Sequence, residues 1–225
     1  MQNAMLPDLL LEPLVRAALT EDLAPMGDAT SRAVIPAGLA WTAVMNARET
    51  GVVSGLSLAA MAFRLVDPAL KVEPLARDGD ACAPGQALMR ITGAAASILM
   101  GERVALNFAG RLSGIATQTA AFVAQTKGTK ARITCTRKTT PGLRVVEKLA
   151  VLHGGGSNHR YGLSDAILIK DNHIAAAGGV AAVLRAASAA RSHMMRVEIE
   201  VDRLDQLAEV LAIGGADVVL LGNMD

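Results

Sequence analysis

A run of cationic and turn-forming residues occupies positions 136–144, which read Thr-Arg-Lys-Thr-Thr-Pro-Gly-Leu-Arg. Pro141 and Gly142 predict a fixed turn ahead of a helix, and the first turn of a helix offers backbone N–H groups that have no partner within the helix. Arg137 adds a planar guanidinium that can bind a carboxylate or a phosphate through two hydrogen bonds. This segment therefore predicts a binding site for an anion.

A second segment, residues 152–163, reads Leu-His-Gly-Gly-Gly-Ser-Asn-His-Arg-Tyr-Gly-Leu. The glycines alone are equally typical of a helix end followed by a flexible connector. His159 and Arg160 are more informative, because beside Asn158 they add two further donors for anionic oxygen atoms. His153 and His173 are consistent with ordinary hydrogen-bonded histidines.

Several motifs of covalent or nucleotide chemistry are absent from the sequence. It contains no HExxH, no GxSxG nucleophile elbow, no GxGxxG and no P-loop. What remains is a set of several cations with few acids and no evident covalent nucleophile. Such a set predicts a site that binds a polyanion and stabilises charge, rather than one that attacks its substrate.

The elements that must position these loops alternate in the second half of the chain. Strands are predicted at 132–136, 166–170, 196–200 and 217–221, with helices at 143–153, 180–193 and 204–213. Alternation of this kind predicts parallel βα units, which bind ligands at the carboxyl ends of their strands. Charges often end a hydrophobic strand, but three charged ends out of four favour a functional edge. The four ends carry Arg137 with Lys138, Lys170 with Asp171, Glu200, and Gly222 with Asn223.

The first half of the chain shows a different pattern of apolar residues. Residues 8–19 have the spacing of an amphipathic helix, and residues 27–93 contain short apolar runs at 41–47, 52–55 and 88–92 that predict strands of an α+β region. A further helix is predicted at 97–113, ended by Gly114. Its stripe of Arg103, Asn107 and Arg111 is, from periodicity alone, typical of a solvated face.

Composition excludes several classes of protein. The 225 residues are 52% hydrophobic and 19% charged, which is enough for a large core in one large domain or two modest ones. The 22 basic and 21 acidic residues leave a net charge of +1, and the aromatic residues are only three Phe, one Trp and one Tyr. Neither value suits a nucleic-acid binder, so a compact anionic metabolite is the favoured ligand.

The cysteines and the apolar runs bear on location. Cys82 and Cys135 form no CxxC pair, which argues against a disulfide framework or a zinc site and fits a reducing compartment. The start lacks a basic region of the kind found in signal peptides, and no uncharged run reaches the ~18 residues of a membrane span. We therefore expect a cytoplasmic protein without membrane association.

At this point the motifs resemble a known family, the quinolinate phosphoribosyltransferases, also called nicotinate-nucleotide pyrophosphorylases (carboxylating). The Thr-Arg-Lys-Thr-Thr-Pro-Gly string is the most specific of the matching segments, and together they extend over nearly the whole chain. These segments are 21–23, 27–31, 47–51, 102–108, 112–117, 136–144, 154–160, 168–174 and 198–202.

The resemblance implies an α/β fold, with an amino-terminal α/β sandwich (1–113) followed by an open or incomplete α/β barrel (114–225). It implies a homodimer whose active site borrows residues from the partner. The implied reaction joins quinolinate to 5-phosphoribosyl 1-diphosphate in the presence of Mg²⁺, giving nicotinate mononucleotide, CO₂ and pyrophosphate in NAD biosynthesis. Both substrates are polyanions, and the quinolinate ring nitrogen is itself the nucleophile, which agrees with the residue inventory.

The resemblance also implies residue roles. Arg103 would reach from the neighbouring subunit to the pyridine dicarboxylate, beside Arg137, His159 and Arg160, and this replaces the solvated-face interpretation. Lys138 and Lys170 would hold phosphoribosyl and diphosphate oxygens, and Glu200 would contact the ribose hydroxyls or the metal. The implied catalytic residues are Lys138, Lys170 and Glu200; the implied substrate-binding residues are these three with Arg103, Thr136, Arg137, His159 and Arg160. No residue is assigned to a resident metal.

Two features depart from the family pattern. Gly222 stands after the Val-Val-Leu-Leu strand, where the family usually has Asp, so one acidic group for ribose or Mg²⁺ is expected to be missing. The sequence also reaches only four βα runs, so we expect a fragment or a shortened relative in which the phosphate site is incomplete.

Three alternatives stay open at the level of sequence. The turn-rich stretch 72–91 resembles a swinging-arm carrier domain, but it contains no lysine and is assigned to structure. A related protein associated with molybdate transport shares the Arg-Lys loop, although Asp171-Asn172-His173 favours the quinolinate enzyme. A catalytically impaired relative is the third alternative.

Overall fold

The computed structural model describes residues 6–224. The chain forms two compact units, of which the first reaches His159 and the second begins at Arg160. The domain boundary predicted between residues 113 and 114 falls inside a long helix of the first unit, and it stays a prediction.

The first unit combines helices with short antiparallel strands. Its described helices are α1 (Asp8–Leu23), α2 (Ala29–Val34), α3 (Leu56–Val66), α4 (Ala95–Gln125) and α5 (Arg144–His153). Its strands are β1 (Ala40–Asn46), β2 (Gly51–Val52), β3 (Lys71–Pro74), β4 (Ala81–Cys82) and β5 (Ala87–Ala94). They pair as a three-stranded antiparallel sheet in the order β1-β5-β3 and a two-stranded antiparallel sheet, β2-β4.

The core of this unit follows from apolar periodicity. Helix α1 buries Leu11, Val15 and Leu19, which recur every fourth residue, so the predicted amphipathic helix is confirmed and continues to Leu23. Helix α3 was not predicted, although it is amphipathic: Ser57 and Arg64, seven residues apart, lie on one exposed side of a largely buried helix. It falls within residues 27–93, where the short apolar runs were interpreted as strands. The predicted strand 52–55 is correspondingly wrong beyond Val52. Gly55 instead caps the start of α3 in the left-handed region (φ 93°), where a Cβ atom would lie 2.9 Å from the Phe108 carbonyl oxygen of α4.

Helix α4 is longer than its sequence suggested. Gly114 was expected to end it, but the helix continues for about three further turns to Gln125. The reason is that the buried face goes on past the glycine, with Leu112, Ala116 and Thr119 at spacings of four and three. Packing of that face outweighs the ~1 kcal/mol that an interior glycine costs a helix.

The second unit is a parallel sheet with helical connections. Its described elements are β6 (Ile167–Ile169), α6 (Asp171–Ala177), α7 (Val180–Ala190), β7 (Val197–Val201), α8 (Leu204–Ile213) and β8 (Val218–Leu221). The strand order is β6-β7-β8, and Ile199 in the central strand is paired with Ile169 and Val219. Val197, Ile199 and Val201 are fully buried. The predicted βα alternation is confirmed, and the described strands form an open sheet rather than a closed barrel.

One predicted strand is wrong. Residues 132–136 form no regular strand, and what remains there is a single parallel bridge between Thr134 and Ser157. The polar and cationic residues that follow turn the chain away after this bridge.

Among residues 6–224 no single helix has both the length and the apolar character needed to cross a membrane. A pair, α6 with α7, passes on length and composition together, but it is bent by 96°.

Candidate active site

The cationic loop and the glycine-rich segment meet within the first unit. The Thr134–Ser157 bridge is closed by hydrogen bonds from Ser157 N to Ile133 O (2.8 Å) and from Cys135 N to Ser157 O (3.0 Å). This pairing sets residues 136–140 beside the segment that leads to His159. Two stretches that the sequence identified separately are therefore one structural feature.

The cationic loop is held by its own hydrogen bonds. Lys138 N donates to Thr136 Oγ1 (3.0 Å), and Thr139 N donates to the Arg137 carbonyl (3.0 Å). Arg144 Nε donates to Thr139 Oγ1 (3.1 Å). The Nε of Arg137 is buried, and no group in the described part of the chain accepts a hydrogen bond from it. This donor is therefore left for water or an anionic ligand to satisfy.

Glu147 anchors the far end of this loop. Its carboxylate is only 7% exposed and accepts from Arg111 Nε (2.9 Å), Arg111 Nη2 (2.5 Å) and Thr140 N (3.1 Å). Arg111 also donates to Thr140 Oγ1. Burial acts to raise the pKa of Glu147, but the hydrogen bonds from Arg111 and Thr140 outweigh it and hold that pKa below its ordinary value. Arg111 is therefore an ion-paired anchor and not part of a purely solvated face.

The glycine triplet is a packed junction rather than a flexible connector. Gly154 caps α5, as one interpretation of the sequence expected. A Cβ atom at Gly156 would lie 2.8 Å from Val151 Cγ1 and 2.9 Å from Thr119 Cγ2. Gly155 adopts a positive φ of 84°. Small residues at these positions thus let the chain pass closely over α4 on its way to His159.

His159 and Arg160 follow this junction, at the boundary between the two units. The side chain of Asn158 accepts a hydrogen bond from Cys135 Sγ (3.3 Å). Arg160 Nη1 donates to the Ala166 carbonyl (3.1 Å), which fixes the side chain at the start of β6. Its Nε is buried, and it has no hydrogen-bond partner among residues 6–224. Arg160 therefore shares with Arg137 a buried donor that protein groups leave unused.

In the second unit the strand ends gather charge, as the sequence predicted. Lys170 follows β6, and its Nζ lies 3.5 Å from Oε2 of Glu200 on β7. His173 accepts a hydrogen bond from Lys170 N through Nδ1 (2.9 Å) and so caps α6, which supports its ordinary structural role. Lys170 and Glu200 are thus brought together at one edge of the sheet.

Asp202 joins this edge and was not assigned to the site from the sequence. Its Oδ1 accepts from Asn223 Nδ2 (3.1 Å). A Cβ atom at Gly222 would lie 2.9 Å from Asp202 Oδ1 and 3.1 Å from Glu200 Oε1, so two carboxylates face the same point. The signal was present, since Asp202 comes directly after β7 and two residues beyond Glu200, and residues two apart along an extended chain share a face.

The remaining predicted residue, Arg103, lies on α4. It is exposed, and within the described part of the chain it forms no hydrogen bond or ion pair. Of the other predicted residues, Thr136, Arg137, Lys138 and His159 belong to the first unit, and Arg160, Lys170 and Glu200 belong to the second. Each unit therefore carries its own group of candidate residues.

No cluster of three or more His, Cys, Asp or Glu side chains is present among residues 6–224. An all-protein cage for a metal ion is therefore absent from this part of the chain. The two carboxylates that face Gly222 instead fit a hard cation that takes one or two protein carboxylates and completes its shell with water and substrate phosphates, as Mg²⁺ does.

Comparison with known families accounts for both parts of the sequence. The pattern described as quinolinate phosphoribosyl transferase, N-terminal domain, matches residues 28–113, and the corresponding C-terminal domain pattern matches residues 115–225.

Individual relatives agree. Quinolinate phosphoribosyltransferase (decarboxylating) 1b of Nicotiana tabacum is 45% identical over 208 residues, which are 91% of this chain and 59% of that protein. Nicotinate-nucleotide pyrophosphorylase (carboxylating) of Mycobacterium leprae is 45% identical over 211 residues, which are 93% of this chain and 74% of that protein. The chain thus spans about three fifths of the length of the tobacco relative.

Solved structures give the same result for the fold. NadC from Streptococcus pyogenes superposes with a TM-score of 0.92 at 39% identity, covering 98% of this chain and 78% of that one. The nicotinate-nucleotide pyrophosphorylase from Francisella tularensis superposes with a TM-score of 0.93 at 37% identity, covering 100% and 79%. The α/β fold class is confirmed, and none of these names favours the molybdate-associated alternative. The chain belongs to the quinolinate phosphoribosyltransferase family.

Proposed function

We propose that the protein transfers the phosphoribosyl group of 5-phosphoribosyl 1-diphosphate to quinolinate, with decarboxylation, and so forms nicotinate mononucleotide for NAD biosynthesis. The observation that carries this proposal is the pair of buried, unpartnered Nε groups on Arg137 and Arg160. A buried guanidinium donor without an acceptor costs free energy, which an anionic ligand repays. Quinolinate offers two carboxylates to such donors.

The reaction requires no nucleophile from the protein, because the quinolinate ring nitrogen is itself the nucleophile. The lone pair of the pyridine nitrogen forms the bond to C1 of the ribose, and the electrons of the C1–O bond leave with pyrophosphate. The bond from the ring to the carboxylate beside the nitrogen then breaks and releases CO₂. Its electrons stay on the ring carbon until a proton is taken up. Arg137, His159 and Arg160 would bind the dicarboxylate and stabilise this carbanion electrostatically, with Thr136 as a further binding group.

The donor substrate and its metal fall to the other predicted residues. Lys138 and Lys170 would bind phosphoribosyl and diphosphate oxygens, and Glu200 would bind the ribose hydroxyls or the metal. Mg²⁺, when bound, neutralises charge on the diphosphate and so improves it as a leaving group. The proposal is supported by the two carboxylates, Glu200 and Asp202, that surround the open position at Gly222.

We further propose a homodimer in which Arg103 serves the partner's site. An exposed arginine without a partner in the described part of the chain is free to bind a group outside its own subunit. A cytoplasmic location remains a proposal too; among the plant relatives, the Arabidopsis thaliana protein is named as chloroplastic and one Nicotiana tabacum protein as mitochondrial.

The test is a turnover assay with quinolinate labelled at the carboxylate beside the ring nitrogen. Labelled CO₂ is expected only when the phosphoribosyl donor and Mg²⁺ are both present, together with one equivalent of nicotinate mononucleotide. Release of CO₂ without the donor, or no release under any of these conditions, would contradict the proposal.

A further inference from the structure

Two adjacent charged residues of α5 lie in the protein interior. Glu147 is 7% exposed and Lys148 is 2% exposed. Among residues 6–224, these two are the charged residues that are buried. Consecutive residues of a helix point about 100° apart, so the two side chains face different neighbours. Glu147 faces Arg111 and Thr140, whereas Lys148 faces Cys135 and His159.

The surroundings of Lys148 are unusual for a buried lysine. Its Nζ donates to Cys135 Sγ (2.9 Å) and to the His159 carbonyl (3.1 Å). No carboxylate of residues 6–224 forms an ion pair with it. Burial of an ammonium group without a carboxylate is unfavourable, and apolar residues of similar volume are often neutral or stabilising at such positions. Stability alone therefore does not account for a lysine here.

The two partners of Lys148 explain its position. Cys135 directly precedes the loop that carries Arg137 and Lys138, and the carbonyl of His159 directly precedes Arg160. One ammonium thus connects the two segments that carry the predicted anion-binding side chains. Glu147 fixes the other end of the same loop through Thr140 N.

We propose that Lys148 is a positioning residue, whose buried ammonium holds the loop after Cys135 and the segment through His159 at the spacing that quinolinate requires. This inference rests on the proposed function. Lys148 itself acts through its neighbours: it fixes a sulfur and a carbonyl oxygen, and these fix the backbone from which Arg137 and His159 extend. Small displacements of binding groups have large effects on a reaction that depends on orientation.

The first test replaces Lys148 by methionine, which keeps most of the volume and removes the charge. The thermal unfolding midpoint should stay the same or rise, while quinolinate affinity in a calorimetric titration should fall about tenfold to a hundredfold. The matched control is Lys71→Met at an exposed position of β3, which should change neither value. Unchanged quinolinate affinity in Lys148→Met, or a loss that merely follows a loss of stability, would overturn the proposal.

The second test examines the sulfur contact and does not depend on the first variant folding. Cys135→Ala removes the acceptor and should weaken quinolinate binding, whereas Cys135→Ser supplies a hydroxyl acceptor and should restore most of the affinity. Lys148→Met combined with Cys135→Ala should lose less affinity than the sum of the two single losses, because the contact between Nζ and Sγ is removed by either change. Each variant also removes one contact of its own, that of Lys148 with the His159 carbonyl or that of Cys135 with Asn158. Fully additive losses, or failure of Cys135→Ser to bind better than Cys135→Ala, would overturn the proposed connection.

A third measurement separates this inference from the proposed function. Amide hydrogen exchange at residues 136–140 and 158–160 requires no substrate, and it should be about tenfold faster in Lys148→Met than in the unaltered protein. If the unaltered protein fails to bind quinolinate, the proposed function fails, and the exchange rates alone then decide on positioning. Equal exchange rates in the two proteins would refute it.

Discussion

Replacing Glu147 by glutamine should lower the free energy of unfolding of the first unit by about 2–3 kcal/mol at neutral pH. The carboxylate is buried and accepts three hydrogen bonds, two of them from the guanidinium of Arg111. Removal of one partner of a fully buried ion pair costs about 3–5 kcal/mol. The Arg111 side chain is 47% exposed, so water can solvate it after the change and the expected loss is smaller. The corresponding fall in the thermal unfolding midpoint is about 5–10 °C.

The pH dependence of this difference has a defined sign. The pKa of Glu147 in the folded protein lies below its ordinary value of 4.5, because of the bonds from Arg111 and Thr140. A lowered folded-state pKa stabilises the protein fully at pH values above 4.5, and this stabilisation disappears as the pH falls through the folded-state pKa. The difference in free energy of unfolding between the unaltered protein and Glu147→Gln should therefore be constant near neutral pH and become smaller in acid.

The measurement is chemical denaturation of both proteins from pH 7 down to the acid limit of the folded state. Glu12→Gln is the matched control, because Glu12 pairs with Arg16 at 2.7 Å on the exposed face of α1 and should contribute less than about 1 kcal/mol. The reasoning about the buried carboxylate would be wrong in either of two cases. In the first, Glu147→Gln lowers the free energy of unfolding no more than Glu12→Gln does; in the second, its loss of stability relative to the unaltered protein grows in acid.

The other predictions concern binding and assembly. Arg137→Ala and Arg160→Ala should each weaken quinolinate binding about tenfold to a hundredfold and donor binding much less, since each removes a charge-assisted contact with a carboxylate; calorimetry showing unchanged quinolinate affinity in both would contradict this assignment. Subunits carrying Arg103→Ala, co-expressed with subunits carrying Arg137→Ala, should recover part of the turnover, because a mixed dimer contains one intact site; inactive mixed dimers would rule out a shared site. Gly222→Asp should lower the thermal midpoint at low ionic strength by the equivalent of about 1–2 kcal/mol, and Mg²⁺ should restore it, because the new Cβ lies 2.9 Å from Asp202 Oδ1 beside a second carboxylate. Gly222→Asn is its uncharged control, and an equal drop in both variants would point to steric strain instead.

The sequence was most informative where a regular period met a clear boundary. The alternation of β7, α8 and β8 was predicted to within a residue or two, because buried strands and an amphipathic helix leave different patterns. The overrun of α4 past Gly114 could not be predicted, since it depends on tertiary burial of Ala116 and Thr119. Helix α3 was missed although Ser57 and Arg64, two turns apart, mark its exposed side, because the short apolar runs around it favoured strands.

For the site, the sequence identified the charged loops but not what holds them. Glu147 and Lys148 lie within the five consecutive buried residues of α5, a run that periodicity cannot separate from an exposed charged pair. Asp202 became a candidate only when the strand ends were seen to meet around Gly222. The roles of Arg103, Thr136, Arg137, Lys138, His159, Arg160, Lys170 and Glu200 stay predictions, which the variants above can test.

Helix α4 fixes the separation of the residues along it, because it is one continuous helix. Arg103 and Arg111 lie on this one continuous helix of 31 residues, about 12 Å apart along the axis, and Arg111 is tied to Glu147. The distance from the anchored loop to the exposed guanidinium of Arg103 is therefore set by helix geometry rather than by a pliable connection. Insertion of a single residue between them would rotate Arg103 by about 100° around the helix axis relative to Arg111. The same insertion after Thr119 would leave the orientation of Arg103 relative to Arg111 unchanged.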